Sequence, residues 1–351
     1  MTYPLGAVSG NNNLCISRTG SGQIQVDVTN MTNRDIGFIG NVTGSASILL
    51  GTNSSNGTEY MFAGNGTKVD MHDASQGVSF WGSNLSVNVT DTDNESNIEW
   101  NASNSRLSTE NTSRAIQLAV GTGASDNIFT MGWGDAQIID GGDYNITKLG
   151  SGNSYYASTT DSKGALVFGG SGRATYHIGG NYGVFKQGTG FATYQINGEL
   201  TDDKSYGFKN AILSGSSAAI VDNGARSLIV STGFNSSVTA NGDKSLYSVS
   251  NTSSPVVIGA NSHRDYIFEN GVTFKPDDGS GDGDIFLGQL LYQRGWSNIN
   301  GVDESYNTNW YLGASGSNAS NHITGSLVKD LLSGWLTLGD AGSKYEGMVT
   351  Y

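Results

Sequence analysis

The sequence predicts an all-β protein of β-solenoid or β-roll type, or a stacked β-sandwich, with a small helix-containing C-terminal segment. Three observations support this fold class. The 351 residues include 51 glycines but only 3 prolines. Short β-rich runs are bounded by Gly, Asn, Asp or Ser. Apolar and turn residues recur nine positions apart in the middle of the chain. The chain is 14% charged and 10% aromatic, which leaves enough apolar surface for a core.

The predicted strands are short and closely spaced: QIQVDV (23–28), YMFAG (60–64), SVNV (86–89), QIID (137–140), ALVF (165–168), SLIV (227–230) and VVIG (256–259). Helical patterning is scarce, and the candidate helices are RAIQLAV (114–120), LGQLLYQ (287–293) and SLVKDLLSGWL (326–336). In the last of these, Leu327, Leu331, Leu332 and Trp335 recur at helical spacing.

Composition divides the chain into three regions. Residues 1–120 form an Asn/Ser/Thr-rich β region, residues 121–275 carry the repeat, and residues 276–351 form a C-terminal assembly, capping or export segment. The first region holds ten Asn-x-Ser/Thr triplets, which are N-glycosylation acceptors in an organism that performs this modification. A polar β surface that favours Asn and Thr gives the same pattern, so both interpretations stay open.

The clearest organisation is a repeat in the second region. GSGRATYHIGG (170–180) and GTGFATYQING (188–198) match with an offset of 18 residues. Half this offset gives a nine-residue period in turn residues and in apolar residues: Gly170, Gly179, Gly188 and Asn197, and Val167, Tyr176, Phe185 and Tyr194. We expect each nine-residue unit to form one strand and one turn, with two units completing a coil and the apolar residues stacking into one core.

This pattern resembles the nine-residue G-G-x-G-x-D-x-apolar-x repeat of RTX (hemolysin-type) β-rolls of secreted bacterial proteins. GGSGRATYH (169–177) keeps the glycines and the apolar residue, but the family's calcium-binding Asp falls on Ala174. The following units place Gly183 and Ala192 at that position. The resemblance therefore implies a coil that has lost its calcium ligands in this stretch.

Two nonapeptides before the repeat retain more acid: GTGASDNIF (121–129) and TMGWGDAQI (130–138). The first puts Asp126 and Ile128 where the family has its Asp and its apolar residue. The second puts Asp135 at the Asp position but Gln137 at the apolar one. Asp126 and Asp135 are therefore candidate calcium ligands by this resemblance.

The acidic stretch DDGSGDGDIF (277–286) is a further candidate calcium loop. Its candidate ligands are Asp278, Ser280, Asp282 and Asp284. Side-chain oxygens at alternate positions of a tight glycine-containing loop can point inward at one Ca²⁺, as in loops of the D-x-[DN]-x-[DN]-G type. Gln289 stands where such loops have a bidentate Glu, which predicts weak affinity. The competing interpretation is a solvated linker that follows Pro276.

Charge and segment patterns exclude several classes of protein. The net charge is −13 and the pI near 4.6, so nucleic acid and anionic membranes are poor partners. The single cysteine, Cys15, excludes a disulfide within the chain. We expect no membrane insertion, since no apolar run approaches membrane-spanning length. The N-terminus lacks a signal-peptide pattern, whereas RTX-like proteins carry a C-terminal export signal.

No catalytic motif is recognisable, and the four histidines are far apart and share no motif. Asp140 with Asp143, or Asp91 with Asp93, could supply the paired carboxylates of a polysaccharide-active solenoid enzyme. Such pairs are more typical of turns or of calcium ligands. The sequence therefore predicts a protein that is not an enzyme.

These observations predict an extracellular structural protein of the cell surface or matrix. We expect it to self-assemble with copies of itself into a surface layer, filament or biofilm-matrix fibre that depends on Ca²⁺, with cell-surface polysaccharide as a second partner to consider. The first alternative is a carbohydrate-binding adhesin or phage-type fibre, which predicts an exposed aromatic row. The second is the solenoid enzyme, which predicts a cleft with paired carboxylates.

Overall fold

The computed structural model describes residues 78–90, 95–197, 210–231, 234–242 and 245–250, together with the strands outside these ranges. Every regular element of the described residues is a β-strand. The chain divides into two compact units, residues 1–174 and 175–351. The predicted boundaries at residues 120 and 275 stay predictions.

The first unit holds fifteen strands: β1 (Thr2–Pro4), β2 (Leu14–Thr19), β3 (Gly22–Asp27), β4 (Asp35–Leu50), β5 (Glu59–His72), β6 (Val78–Ser83), β7 (Ser86–Thr90), β8 (Ser96–Ser103), β9 (Arg106–Asn111), β10 (Ile116–Val120), β11 (Ile128–Thr130), β12 (Ala136–Asp140), β13 (Ile146–Lys148), β14 (Ser154–Ser158) and β15 (Leu166–Phe168). The second unit holds the remaining thirteen strands, the first of which begins one residue before the boundary: β16 (Ala174–Ile178), β17 (Gly183–Lys186), β18 (Ala192–Ile196), β19 (Asn210–Ser214), β20 (Ala218–Asp222), β21 (Ser227–Ser231), β22 (Ser237–Ala240), β23 (Leu246–Ser250), β24 (Val257–Ile258), β25 (Tyr266–Asn270), β26 (Lys275–Pro276), β27 (Ile285–Gly288) and β28 (Trp310–Leu312).

From β6 to the end of the first unit, successive strands alternate between two parallel sheets. Sheet 1A contains β6, β8, β10, β12 and β14, and sheet 1B contains β7, β9, β11, β13 and β15. The long strand β5 contributes to both, because it pairs with β6 over its first half and with β7 over its second half. A chain that alternates between two parallel sheets in this way winds as a β-solenoid, with one coil for each pair of strands.

The second unit follows the same rule. Sheet 2A contains β16, β18, β20, β22, β24 and β26, and sheet 2B contains β17, β19, β21, β23, β25, β27 and β28. The predicted all-β solenoid is therefore confirmed, and its parallel coils are consistent with a β-roll.

The strand registers confirm the coil length that the repeat predicts. Ile138 of β12 pairs with Tyr156 of β14, residue numbers that differ by 18. Leu118 pairs with Ile138, a difference of 20, and Tyr194 pairs with Ile220, a difference of 26. The two-unit coil of 18 residues is thus the basic period, and longer coils place their additional residues between the strands.

The predicted apolar positions of the repeat form the core. Val167, Tyr176, Phe185 and Tyr194 are each 0–1% exposed. The predicted turn positions Gly170, Gly179, Gly188 and Asn197 all lie between strands. The inner faces of the two sheets meet through aromatic contacts. Trp100 of β8 lies 5.6 Å from Phe129 of β11 between ring centroids, and Tyr176 of β16 lies 6.2 Å from Phe185 of β17.

All seven predicted strands overlap strands of the structure, but the helix predicted for residues 114–120 is wrong. Ile116, Leu118 and Val120 face inward from β10, while Gln117 and Ala119 between them are exposed. This alternation has a period of two residues, which is the period of a strand rather than a helix. Of the candidate helix at 287–293, Leu287 and Gly288 lie in β27. The rest of that segment and all of 326–336 lie outside the described residues.

Candidate functional site

Two of the candidate calcium ligands, Asp126 and Asp135, lie in the described residues, and both are exposed. Asp126 is exposed at the corner before β11, where its φ is 57° and its N–H donates to the carbonyl oxygen of Asp143 at 3.0 Å. Asp135 is exposed before β12, and its Oδ1 accepts a hydrogen bond from the N–H of Asn153 at 2.7 Å. Within the described ranges, no three His, Cys, Asp or Glu side chains are grouped closely enough to hold a metal. Asp278, Ser280, Asp282 and Asp284 lie outside the described residues. Calcium binding stays a prediction.

The inward register next to Asp126 differs by one residue from the RTX-like alignment. Asn127 and Phe129 are fully buried, whereas Ile128 between them is only half-buried. A shift of one residue moves every side chain to the opposite face of a strand. The same correction applies to the next unit, where Ala136 is buried and Gln137 is exposed.

The positive φ of Asp126 is part of a repeated corner rather than an isolated feature. Before each strand of sheet 1B from β7 to β15, the second residue before the strand has φ between 50° and 65°: Asn84, Asn104, Asp126, Tyr144 and Gly164. This left-handed region suits Gly, Asn and Asp better than other residues. The backbone conformation therefore gives a reason for Asp126 that does not require a metal.

The residues after the first four of these corners face inward and form a line of buried polar contacts, which we name the corner ladder: Leu85, Ser105, Asn127 and Asn145. The N–H of Leu85 donates to Oγ of Ser105 at 2.8 Å. The N–H of Ser105 donates to Oδ1 of Asn127, and the N–H of Asn127 donates to Oδ1 of Asn145, both at 3.0 Å. The three polar members are 0–1% exposed. The first three members of the corner ladder thus each have their buried backbone N–H satisfied by a side chain of the next coil.

Two buried carboxyl groups lie beside such corners. Asp140, the last residue of β12, is 0% exposed. Its Oδ1 accepts hydrogen bonds from the N–H of Gly142 at 3.0 Å and from Nδ2 of Asn145 at 2.9 Å. Its Oδ2 accepts from the hydroxyl of Tyr156 at 2.8 Å. Burial raises the pKa of the Asp140 carboxyl, and the nearby charge of Asp143 raises it further, while these three hydrogen bonds oppose the shift.

Asp222 in the second unit has the same local arrangement. It ends β20, is 0% exposed, and accepts at Oδ1 from the N–H of Gly224 at 3.0 Å and from Oγ of Ser227 at 2.9 Å. Oδ2 accepts from the hydroxyl of Tyr247 at 2.7 Å. Burial raises the pKa of this carboxyl, opposed by hydrogen bonds from Tyr247, Gly224, Ser227 and Ser245. The phenol comes from the opposite sheet here, whereas Tyr156 lies in the same sheet as Asp140.

This arrangement was not predicted, although the sequence contains a signal for it. DGGDYN (140–145) and DNGARS (222–227) share the pattern D-x-G-x-x-[N/S]. The Asp closes a turn onto the N–H two residues later, and the side chain five residues later donates to the same oxygen. The sequence instead suggested that Asp140 and Asp143 form a carboxylate pair. In the structure the Asp140 carboxyl is enclosed in the core, and Oδ1 of Asp143 accepts from the N–H of Lys163 at 3.0 Å. Asp91 and Asp93 lie outside the described residues.

The described tryptophans divide between core and surface. Trp100 is 0% exposed and contacts Phe80 and Phe129. Trp81 is 44% exposed, and Trp133 is 70% exposed in the turn between β11 and β12. Trp133 is therefore an aromatic side chain that a ligand could reach.

The fold and these contacts define a parallel β-solenoid whose buried polar side chains link neighbouring coils. Comparison with family models, with curated proteins and with solved structures found no match. The described residues contain no helix long and apolar enough to cross a membrane.

Proposed function

We propose that this chain is an extracellular structural protein that assembles with copies of itself into a surface layer, filament or matrix fibre, and that calcium promotes the assembly. The corner ladder is the observation that carries this proposal. Ser105, Asn127 and Asn145 use their side chains to bond one coil to the next. Stability in such a fold comes from contacts between neighbouring coils, and the same stacking can continue between chains.

Two physical properties connect this architecture with assembly. The outermost strand of a parallel sheet presents unpaired N–H and C=O groups, which the strand of another copy can satisfy. The net charge of −13 makes copies repel one another, so a divalent cation bound between them lowers that repulsion. The candidate places for such a cation are the acidic stretch 277–286 and the exposed Asp126 and Asp135.

Electron microscopy with sedimentation velocity tests this proposal. The purified chain is examined at about 1 mM calcium, within the range in which extracellular calcium modules bind, and again with chelator. We expect filaments or sheets with calcium and dispersed particles without it. A chain that stays monomeric in both conditions at high protein concentration contradicts the proposal.

Carbohydrate binding is a second candidate, and the exposure of Trp133 favours it. An indole that is 70% exposed offers a flat apolar surface on which a sugar ring can stack. The turn that carries it is fixed, because the N–H of Trp133 donates to the carbonyl oxygen of Thr112 at 3.1 Å.

Affinity electrophoresis in gels that contain soluble polysaccharides tests this candidate. We expect Trp133→Ala to abolish any retardation of the wild-type chain and Trp81→Ala, the matched control, to preserve it. Equal mobility of the wild type with and without each polysaccharide argues against a carbohydrate-binding role.

A further inference from the structure

The outer face of sheet 1A differs from the outer face of sheet 1B in the side chains that it exposes. Six exposed residues on β8, β10 and β12 define what we name the amide face: Asn97, Glu99, Gln117, Ala119, Gln137 and Ile139. They form two straight rows, because Asn97, Gln117 and Gln137 are register partners, as are Glu99, Ala119 and Ile139. The amide face is thus a flat surface of uncharged amides beside a row that ends in small and apolar side chains.

Charge is nearly absent from this surface. Glu99 is the one ionisable member, and both of its carboxylate oxygens are engaged. Oε2 accepts from the hydroxyl of Ser79 at 2.9 Å, and Oε1 accepts from Nδ2 of Asn101 at 3.1 Å. The outer face of sheet 1B carries exposed Arg106, Glu110 and Lys148. A contact between two amide faces therefore brings few charged side chains together.

The row of amides is self-complementary, both in its hydrogen-bonding groups and in the spacing between them. A primary amide both donates and accepts hydrogen bonds, so one row of amides can bond to an identical row. The row repeats at the spacing of parallel strands, about 4.8 Å. A partner that engages every amide needs the same spacing, and a second copy has it. Flat β faces with Asn and Gln rows form dry interfaces between paired sheets, and Ile139, 43% exposed, would be covered in such an interface.

We propose that the amide face is a lateral contact between two copies of this chain. This inference rests on the proposed self-assembly and adds a direction to it. Strand edges extend an assembly along the solenoid axis, whereas the amide face joins solenoids side by side.

Added charge on the amide face tests the inference. Gln137→Glu keeps the side-chain shape and Ile139→Glu removes the apolar group, and each adds one negative charge at an exposed position. Ser86→Glu is the matched control, because Ser86 is exposed on the outer face of sheet 1B. A two-fold contact brings two copies of each new carboxylate together, so we expect lateral association to weaken by about tenfold or more in both amide-face variants. Sedimentation velocity and filament width measure this change, and circular dichroism verifies that all variants fold.

The outcomes separate this inference from the proposed function. Single filaments with wild-type width in both amide-face variants leave self-assembly intact and overturn the lateral contact. A monomeric wild type overturns both. Retention of that monomer by a polysaccharide, lost in Ile139→Glu but kept in Ser86→Glu, would assign the amide face to carbohydrate instead. Narrower filaments in the two amide-face variants alone support the inference.

Discussion

At the scale of the residue, the buried Asp140 and Asp222 carboxyls make stability depend on pH. Burial raises the folded-state pKa of each above the value in the unfolded chain. The folded state therefore holds its protons more tightly than the unfolded state does. The resulting contribution to stability is complete below the unfolded-state pKa and is lost as pH rises through the folded-state pKa. These two groups favour the solenoid in acid.

Asp140→Asn isolates this effect. The amide Oδ1 can still accept from the N–H of Gly142 and from Asn145, but the side chain no longer ionises. We expect the variant to lose less stability than the wild type between acid and neutral pH, and to equal or exceed it at neutral pH. Thermal unfolding across that pH range measures the difference.

The matched control is Asp135→Asn, because Asp135 is exposed and makes none of the hydrogen bonds that surround the buried Asp140. Asp140→Asn should differ from this control in the pH dependence of unfolding. Identical pH dependence in Asp140→Asn and in the wild type would mean that ionisation of the Asp140 carboxyl does not change the stability of the fold.

At the scale of the element, the turns that follow the strands of sheet 1B are limited by the close approach of successive coils. A Cβ on Gly150 would collide with the carbonyl oxygen of Gly132 in the preceding coil, and one on Gly170 would collide with that of Gly150. These glycines are therefore required because their backbones stack without room for a side chain, which is why glycine recurs with the coil period.

Gly150→Ala should accordingly destabilise the solenoid. Steric crowding of this kind typically costs about 1–3 kcal/mol, because two backbone segments must separate. Gly123→Ala is the matched control, since a Cβ there has no neighbouring atom within 4 Å. Chemical denaturation of both variants gives the comparison. Equal stability of the two variants would show that the stacked turns can move apart without a loss of folding free energy.

At the scale of the whole molecule, the proposed dependence of assembly on calcium can be assigned to a segment. If the acidic stretch 277–286 binds the cation, Asp282→Asn combined with Asp284→Asn should raise the calcium concentration needed for filaments. The physical reason is that hard carboxylate ligands and net negative charge set calcium affinity. Light scattering during a calcium titration measures this midpoint.

The control for that titration is Asp126→Asn combined with Asp135→Asn, which removes the same number of charges from the first unit. A shift in this control alone would place the cation in the repeat region and return 277–286 to the role of a linker. Equal shifts in both would indicate general charge screening.

The sequence by itself determined the period of this protein. The nine-residue spacing of Val167, Tyr176, Phe185 and Tyr194 predicted the coil, because a buried position must recur at the same place in each turn of a solenoid. It also predicted the seven short strands. The error at residues 114–120 arose because Ile116, Leu118 and Val120 lie within one short run, where helical and strand periods are hard to separate.

Only the tertiary structure decided which polar residues are inside. Asp126 and Asp140 both stand in Asp- and Gly-rich turns, yet one is exposed at a left-handed corner and the other is enclosed beside Tyr156. A local motif specifies the turn but not the coil stacked above it. The partners that make burial of Asp140 tolerable come from the corner and from the next coil. Winding the chain brings those groups together, and the spacing of residues along the sequence does not show it.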